Sequence, residues 1–338
     1  MKLNGRTLKK NEMLRIKAFP RIHVSLIGMN RDGYRINGGI GFSISSPTLD
    51  MSFSVSDTIE VEDKRVYGFT HNEIKRLVDH LRHVAIQEHL DVGIKCEIYE
   101  GRVRSHIGFG SNSMIYLSCI EALFLINHRD YDEKEIIRLS GRGGTSGIGI
   151  NTYFKGGFVF DAGIANTEHR ALSPSSSFIK LDHQEPLLMK SIMMPEWEMG
   201  ICIPSINHKT EEEEVEFFQE NCPIDRRDVE VILYDAVYGI TSSIMEKDLE
   251  TFCKAIDSIQ HTKWKQLERA LYGSDLSEVE ASIKRAGACC VGMSSLGPLL
   301  YFFGDNIGGI IERIERDALQ VDCFKTSFNN TGRVVKYD

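Results

Sequence analysis

The sequence lacks the features that mark membrane proteins, zinc-binding proteins and redox proteins of the C-x-x-C type. No run approaches the roughly 20 apolar residues that a membrane-spanning helix needs. The 8 cysteines among the 338 residues include no C-x-x-C pair, so their spacing indicates neither a zinc site nor a redox motif. Most cysteines lie among apolar neighbours, as in Ile201-Cys202-Ile203. This pattern predicts buried free thiols in a reducing compartment.

Basic charge is also scarce. The formal net charge is −8, with 40 lysines and arginines against 48 acidic residues, and no basic stripe follows the chain. This balance argues against general nucleic-acid binding. Residues 1–10 lack the apolar core of a signal peptide. We therefore expect a cytoplasmic protein with neither a nucleic-acid nor a membrane partner.

The composition that remains is typical of a globular protein, with 42% hydrophobic and 26% charged residues, and the length suits two domains. Apolar periodicity predicts strands over 16–29, 39–46, 51–55, 92–99, 156–163, 199–203, 290–294, 299–303 and 321–328. Helices are predicted over 71–89, 114–127, 132–139, 277–285 and 307–319, with further helices between 211 and 273. The polar stretch 165–184 is the predicted boundary between domains 1–175 and 185–338.

The most informative segment is 105–113, Ser-His-Ile-Gly-Phe-Gly-Ser-Asn-Ser, which precedes a long apolar run. Gly108 and Gly110 let the backbone turn tightly and approach a ligand closely. Ser111, Asn112 and Ser113 are suitable N-cap residues for the helix that follows. The free N–H groups of a helix start attract an anion, here phosphate or pyrophosphate. The alternative is an ordinary capped loop without a ligand.

Two further segments share this glycine- and serine-rich character. Five glycines fall within residues 140–149, and a long glycine loop inside a compact domain is usually functional. The third segment, 292–298, lies between two predicted strands. A single function should account for the glycine- and serine-rich composition of all three segments.

Several charged or polar residues near these segments are candidates for chemistry. Arg21 and His23 alternate with apolar residues along a strand, so they face either solvent or a site. Arg142 suits a two-pronged contact with a phosphate or a carboxylate, or it is an ordinary surface arginine. His106 adjoins the first glycine segment as a possible donor. Asp161, at a strand end, either holds Mg²⁺, faces a sugar or caps a turn.

These segments, in this order, resemble the GHMP kinase superfamily, which has a Gly-x-Gly-Ser-Ser phosphate loop and a Met-Ser-Gly-Ser-Gly-Pro-like turn. Segment 141–149 followed by 156–163 is more specific. Together with 21–27 and 37–41 it resembles the beta-ribofuranosylaminobenzene 5'-phosphate synthase family, whose members share the GHMP fold without being kinases.

The resemblance implies an α+β, GHMP-type fold of two domains. The N-terminal domain would be the left-handed βαβ type shared with a ribosomal protein, and the C-terminal domain would be ferredoxin-like. The implied enzyme is a glycosyltransferase of methanopterin biosynthesis. It joins phosphoribosyl pyrophosphate to 4-aminobenzoate or 4-hydroxybenzoate, with loss of carbon dioxide and pyrophosphate. We expect Mg²⁺, no organic cofactor and a homodimer.

The site residues follow from the same comparison. We predict Asp161, His23 and Arg142 as catalytic residues, and we assign no metal ligands. The predicted substrate- and phosphate-binding residues are Arg21, Asn37, Gly38, Gly39, His106, Gly108, Gly110, Ser111, Asn112, Ser113, Gly143, Gly144, Thr145, Ser146, Gly147, Ser294 and Ser295.

Three alternatives to this transferase stay open. Small-molecule kinases of the superfamily usually carry an aspartate after a Ser-Gly-Ile-like step, where this chain has Gly149, which cannot take a proton. A non-catalytic phosphate-binding protein is the second alternative, and a transferase acting on heterocyclic carboxylates is the third. The chain departs from the family pattern at Asn112, Ser113, Met114 and Ile164. These departures concern the acceptor and the activity rather than the fold.

Overall fold

The computed structural model describes residues 13–99, 101–166, 172, 184–317 and 319–337. Its mixture of helices and mostly antiparallel sheets confirms the expected α+β class. Most of the predicted boundary at 165–184 lies outside the described residues. Within the described part of the chain, no helix is both long and apolar enough to cross a membrane.

The strands and helices have the following bounds. The strands are β1 (Leu14–Ala18), β2 (Arg21–Gly28), β3 (Arg35–Ser43), β4 (Leu49–Ser56), β5 (Glu60–Asp63), β6 (Gly93–Ile98), β7 (Phe158–Asp161), β8 (Ile164–Ala165), β9 (Leu188–Ile192), β10 (Met199–Pro204), β11 (Cys290–Met293), β12 (Leu300–Phe303), β13 (Val321–Thr326) and β14 (Val334–Tyr337). The helices are α1 (His71–Gln87), α2 (Ser111–Ile126), α3 (Glu133–Ser140), α4 (Ile148–Lys155), α5 (Glu211–Asn221), α6 (Arg226–Tyr234), α7 (Ser242–Glu246), α8 (Leu249–Gln260), α9 (Lys263–Ala270), α10 (Gly273–Arg285) and α11 (Ile307–Arg316). A π-helical segment, Asp235–Thr241, joins α6 to α7.

The first sheet and helix α2 form the N-terminal part of the core. Its strand order is β14-β1-β4-β6-β5, and Ile16 of β1 lies opposite Met51 of β4. Helix α2 packs on β1, β4 and β6 on one side and on α1, α3 and α4 on the other. Because it is surrounded, nearly all of its residues are buried, which explains why its sequence is apolar around the whole circumference.

The second sheet carries the residues that lead into the site. Its order is β2-β3-β7-β9, with β8 pairing with β3 beside it. The register between β2 and β3 shifts between His23 and Ser25, as in a β-bulge. Both side chains are buried, so the expected polar face does not meet solvent. The hydroxyl of Ser25 donates to the carbonyl of Leu26, which leaves Arg21 and His23 as the strand's contribution to the site.

The third sheet is antiparallel, with the order β11-β12-β10-β13. Across the sheet, the neighbouring strands are therefore the second, third, first and fourth of this domain in the order of the sequence. This is the βαββαβ arrangement of a ferredoxin-like domain, enlarged here by the extra helices between β10 and β11. Helices α10 and α11 pack with an apolar cluster on the sheet, and α8 packs on β11.

A buried cluster of hydrogen bonds around an ion pair connects helices α2 and α4. Glu121 of α2 has no exposed surface, and the Arg333 guanidinium donates to both of its oxygens, at 3.1 Å from Nε. The hydroxyls of Tyr131 and Tyr153 donate to the same carboxylate at 2.6 Å each. Since Tyr153 belongs to α4, this cluster fixes α2, α4 and the segment before β14 relative to one another.

The structure corrects the predicted elements in a few places. The strand predicted over 16–29 is two strands, interrupted at Pro20, which has no backbone N–H to give to a ladder. The glycine segment 140–149 ends in helix α4, which the sequence did not predict because glycine and β-branched residues are weak helix formers. The short strands β5, β8, β9 and β14 were also missed.

Candidate active site

One cavity brings together the start of β2 and all three glycine- and serine-rich segments. Helix α5 contributes Glu214 and Phe218 to its wall, and α9 contributes Glu268. The predicted site residues that line this cavity are Arg21, His23, His106, Gly108, Gly110, Ser111, Asn112, Ser113, Arg142, Gly143, Thr145, Ser146 and Ser295. Their chemical roles stay predictions.

The first glycine segment ends in an uncapped helix start. The N-cap of α2 is Gly110, with a φ of 74° and no side-chain hydrogen bond, whereas the sequence suggested Ser111, Asn112 or Ser113. Gly108 has a φ of 111°, and a Cβ there would lie 2.6 Å from the carbonyl oxygen of Ser294. The loop therefore needs glycine for its conformation and for its close packing. No side chain caps the first N–H groups of α2, which begins in the cavity wall.

A second helix begins at the same cavity. Helix α4 starts after Gly147, which has no side chain to cap it, and the N–H of its first residue, Ile148, donates to the Ser146 hydroxyl at 3.3 Å. Gly149 in its first turn lines the cavity, and a Cβ there would lie 3.1 Å from the hydroxyl oxygen of Ser113. The starts of α2 and α4 are thus neighbours. Their dipoles and free N–H groups favour negative charge in the cavity.

Two arginines add positive charge to this wall. Arg21 donates to the carbonyl of Gly108 at 2.5 Å, and Arg142 donates to the hydroxyl of Ser113 at 3.4 Å. Burial and the neighbouring Arg142 lower the pKa of Arg21 to about 10, so it stays charged near neutral pH. Arg142 is buried and lies over the Tyr116 ring, 5.9 Å from its centroid, unlike an arginine on a surface loop.

His106 is a further basic side chain of the cavity. Its Nε2 lies 2.5 Å from a carboxylate oxygen of Glu73, and its ring stacks on His208 with centroids 5.5 Å apart. Burial disfavours the charged imidazole, but the Glu73 carboxylate outweighs burial and raises the pKa of His106. Glu73 also completes the capping box of α1 with Thr70, which holds its carboxylate in place.

Three side chains form a hydrogen-bonded chain from the cavity into the protein. The Nε2 of His23 lies 3.2 Å from the hydroxyl oxygen of Ser146. The Ser146 hydroxyl donates to a carboxylate oxygen of Asp161, also at 3.2 Å. His23 and Ser146 line the cavity, whereas Asp161 lies behind them without exposed surface. Asp161 therefore reaches the cavity through Ser146 and not directly.

The pKa values of His23 and Asp161 suit this hydrogen-bonded chain of side chains to proton transfer. Burial, together with the charges of Arg21 and Lys265, holds the pKa of His23 well below its ordinary value, so the imidazole is neutral near pH 7. Burial raises the pKa of Asp161 to about 7, although the backbone N–H groups of Gly163 and Gly147 donate to its carboxylate at 2.9 and 3.0 Å. A carboxyl with such a pKa can exchange a proton near neutral pH.

Seven predicted site residues do not line the cavity. Besides Asp161 they are Asn37, Gly38, Gly39, Gly144, Gly147 and Ser294. Asn37 and Gly38 have positive φ and support the loop behind the wall, where the Gly38 N–H donates to the carbonyl of Thr145 at 2.9 Å. A Cβ on Gly39 would lie 2.6 Å from the carbonyl oxygen of Ser25, so close strand packing requires glycine there.

The hydroxyl of Ser294 has two backbone partners. It accepts from the His23 N–H at 3.0 Å and donates to the carbonyl of Gly108 at 2.8 Å. It thereby joins β2, the first glycine segment and the turn after β11. Ser294 therefore positions cavity residues, whereas Ser295, Leu296 and Gly297 of this turn line the cavity.

Sequence reasoning missed a buried lysine beneath the same turn. Lys265 has no exposed surface, and its ammonium group donates to the carbonyls of Met293 at 2.9 Å and Ser295 at 3.4 Å, and to the Glu268 carboxylate. The i, i+3 spacing of Lys265 and Glu268 was readable as a helical ion pair. Nothing in the sequence shows that α9 lies beneath the turn.

The described residues include no group of three or more acidic, histidine or cysteine side chains able to hold a metal ion. Magnesium seldom needs such a cage, because it commonly binds one or two carboxylates together with phosphate oxygens of the substrate. Glu214 and Glu268 are carboxylates in the cavity wall, and Glu268 is paired with Lys265. Glu214, the carboxylate that α5 contributes to this wall, is an oxygen ligand of the kind that Mg²⁺ prefers.

The chain has a GHMP-type fold. Similar solved structures include homoserine kinase from Cytophaga hutchinsonii (TM-score 0.66, 14% identity, 99% of this chain and 100% of that one) and L. major mevalonate kinase (TM-score 0.67, 14% identity, 96% and 97%). At these identities the likeness shows the fold alone. No family profile matches the chain.

Curated relatives identify the family to which the chain belongs. Beta-ribofuranosylphenol 5'-phosphate synthase from Methanothermobacter thermautotrophicus is 30% identical over 305 residues, 87% of this chain and 91% of the relative. The enzyme of the same name from Methanocaldococcus jannaschii is 29% identical over 328 residues, 93% and 98%. The chain belongs to this family and is an enzyme, a riboside-forming transferase. The relatives are named for a phenol product, whereas the family that the sequence motifs resemble is named for an aminobenzene product.

Proposed function

We propose that the protein joins phosphoribosyl pyrophosphate to 4-hydroxybenzoate, releasing pyrophosphate and carbon dioxide and forming a β-ribofuranosylphenol 5'-phosphate for methanopterin biosynthesis. The observation that carries the proposal is the cavity itself, in which the starts of α2 and α4 and the side chains of Arg21 and Arg142 adjoin the His23–Ser146–Asp161 chain. The names of the relatives favour the hydroxy acid as acceptor. 4-Aminobenzoate is the alternative acceptor.

The cationic wall suits the donor. Phosphoribosyl pyrophosphate has two anionic groups, a 5'-phosphate and a diphosphate, and the cavity has two helix starts. Departure of the diphosphate leaves positive charge on the ribose and adds negative charge to the leaving group. Arg21, Arg142 and the N–H groups of α2 and α4 are fixed donors that stabilise this developing charge. Mg²⁺, held by the diphosphate and by Glu214, would supply further neutralisation of the leaving group.

The hydrogen-bonded chain serves the acceptor. The acceptor hydroxyl donates to Ser146, whose own proton passes to Asp161, and His23 orients the Ser146 hydroxyl. The ring carbon that bears the carboxylate forms a bond to the anomeric carbon as the bond to the diphosphate oxygen breaks. The bond to the carboxylate then breaks, carbon dioxide leaves, and its electron pair restores the aromatic ring. The hydroxyl recovers its proton from Asp161, so no net proton is consumed.

Arg142→Ala should raise the Kd for the donor about 10- to 100-fold, since a charge-assisted contact to an oxyanion is lost. Arg142→Lys should restore only part of the affinity, because an ammonium group lacks the planar fork of the guanidinium. Calorimetric titration with phosphoribosyl pyrophosphate measures both effects. Full affinity in both variants would remove Arg142 from donor binding.

The turnover number should rise as the pH increases through about 7. Burial raises the pKa of Asp161 to about 7, so below this pH the carboxyl is protonated and cannot accept the proton of the acceptor. His23 stays neutral across this range, because its pKa is held well below its ordinary value. Measuring kcat from about pH 5 to about pH 9 tests this direction. A kcat that falls across the same range would contradict the assignment of Asp161 as base.

A coupled assay of pyrophosphate release tests the proposed reaction. The protein is incubated with phosphoribosyl pyrophosphate and Mg²⁺, alone or with 4-hydroxybenzoate or 4-aminobenzoate. Release should depend on the aromatic acid and be faster with the hydroxy acid. A parallel incubation with ATP and small alcohols tests the kinase alternative, which Gly149 argues against because the start of α4 offers no carboxylate there. Formation of ADP without acceptor-dependent pyrophosphate release would overturn the proposal.

A further inference from the structure

Three apolar side chains line the otherwise polar cavity. They are Leu26 of β2, Phe218 of α5 and Leu296 of the turn after β11, and we refer to them as the apolar wall. Within the part of the chain that the structure describes, no further apolar side chain lines the cavity. The glycine segments at the starts of α2 and α4 contribute only polar side chains and glycines to it. The apolar wall is therefore formed by other segments than the two helix starts.

Hydrogen bonds join the three elements that carry the apolar wall. The Ile224 N–H, just after α5, donates to the carbonyl of Met29, just after β2, at 2.9 Å. This contact holds the end of α5 beside the end of β2. The Ser295 N–H donates to the carbonyl of His23 at 2.9 Å, which holds the turn after β11 beside the same strand. The fold thus fixes the elements of the apolar wall relative to one another.

Phe218 is held in the apolar wall by a tryptophan behind it. Its ring packs edge-to-face on Trp264, with centroids 5.3 Å apart and planes at 70°, and Trp264 has no exposed surface. Phe217 packs on the same tryptophan at 5.2 Å but does not line the cavity, because adjacent residues of a helix point in different directions. The two phenylalanines share a packing partner and differ in their access to the cavity.

The aromatic acceptor is the substrate that matches the apolar wall. Phosphoribosyl pyrophosphate consists of a sugar and anionic phosphate groups, which suit the arginines and the helix starts. The acceptor has an aromatic ring with two apolar faces. Burial of such a ring against apolar atoms is favourable, and a phenylalanine gains further from stacked or edge-to-face contact with it. Ligand pockets commonly combine apolar walls of this kind with a few polar groups that set the orientation.

We propose that the apolar wall binds the ring of the acceptor, and that Phe218 makes the enzyme prefer a flat aromatic ring to a saturated one. This inference rests on the proposed function, because it presupposes that an aromatic acid binds in the cavity. Phe218 is then a specificity-determining residue. It takes no part in proton transfer or in binding the diphosphate, so its replacement should affect the acceptor and leave the donor's affinity unchanged.

Matched variants of the two neighbouring phenylalanines test this role. Phe218→Ala should raise the KM for 4-hydroxybenzoate about tenfold or more, because the ring loses an aromatic contact and apolar area. The affinity for inorganic pyrophosphate, measured by calorimetric titration, should stay that of wild type. Phe217→Ala removes the same side chain from the same tryptophan, outside the cavity, and should change neither quantity. Phe218→Leu and Phe217→Leu keep most of the apolar volume and provide the same comparison if an alanine variant does not fold.

A second readout measures the preference for a flat ring. In wild type, benzoate should inhibit the reaction with 4-hydroxybenzoate more strongly than cyclohexanecarboxylate, which has a saturated ring with the same number of carbon atoms. Phe218→Leu should reduce this difference, because leucine has no aromatic face, whereas Phe217→Leu should retain it. A loss of packing alone would lower stability without changing the ratio of the two inhibition constants.

The failure of this inference can be told from the failure of the proposed function. An unchanged KM for 4-hydroxybenzoate in Phe218→Ala, an unchanged preference for benzoate in Phe218→Leu, or equal effects of the Phe217 and Phe218 changes would overturn the role of Phe218 while the proposed function stands. A loss of pyrophosphate affinity as large as the loss of acceptor affinity would also overturn it. If wild type shows no pyrophosphate release that depends on the aromatic acid, the proposed function is wrong, and the inference falls with it.

Discussion

Asp161→Asn should lower kcat by about 100-fold or more while the affinity for pyrophosphate stays close to that of wild type. Asparagine has nearly the shape of aspartate, and its oxygen can still accept from the N–H of Gly147 or of Gly163. It cannot take the proton that Ser146 passes on. The pH dependence of kcat around 7 should disappear in the same variant, since the group that produces it is gone.

Two further measurements separate this role from a structural one. Ser146→Ala removes the link between the cavity and Asp161, and it should lower kcat in the same direction with little effect on stability. The urea-unfolding midpoint of each variant reports any loss of turn capping. A kcat near that of wild type in Asp161→Asn would assign the carboxylate to capping alone.

Arg333→Met should lower the free energy of unfolding by about 3–5 kcal/mol, because the Glu121 carboxylate would be left as a buried charge without its cation. Glu121 has no exposed surface, and its remaining partners would be the neutral hydroxyls of Tyr131 and Tyr153. The loss should also loosen the relative placement of α2 and α4, whose starts form the cavity wall. Urea unfolding measures the first effect, and the affinity for pyrophosphate reports the second.

The matched control is an ion pair on the surface. Lys155, the last residue of α4, contacts Glu133 at 2.7 Å, and both side chains are more than a third exposed, at 35% and 48%. Lys155→Met should change stability by no more than about 1 kcal/mol, as is usual for exposed pairs. Equal losses in Arg333→Met and Lys155→Met would contradict the account of the buried cluster.

The sequence was most informative where the physics is local. Helix α2 was predicted from its apolar run. The tight turn before it was predicted from Gly108 and Gly110, and both residues have positive φ. The sequence singled out all three glycine- and serine-rich segments, which line one cavity. Helix α4 was not predicted, because Gly149 and the loop glycines before it have low helix propensity and the helix is stabilised by tertiary packing.

What the sequence could not show depends on contacts between distant segments. The position of Asp161 behind Ser146 follows from the pairing of β3 with β7 and from the fold of the 141–147 loop. The Lys265 ammonium beneath the Ser295 carbonyl and the Glu214 carboxylate beside two arginines also join residues far apart in the chain. Periodicity and turn signals carry no information about such pairs.

The central claim is that one active site couples transfer of the ribosyl group to decarboxylation of the acceptor. The most direct test uses 4-hydroxybenzoate labelled in its carboxyl carbon, with phosphoribosyl pyrophosphate and Mg²⁺, and counts labelled carbon dioxide against pyrophosphate. We expect equal amounts of the two products, both lost when either substrate is omitted and both strongly reduced in Asp161→Asn. Pyrophosphate release without labelled carbon dioxide, or retention of the label in a riboside product, would contradict the account.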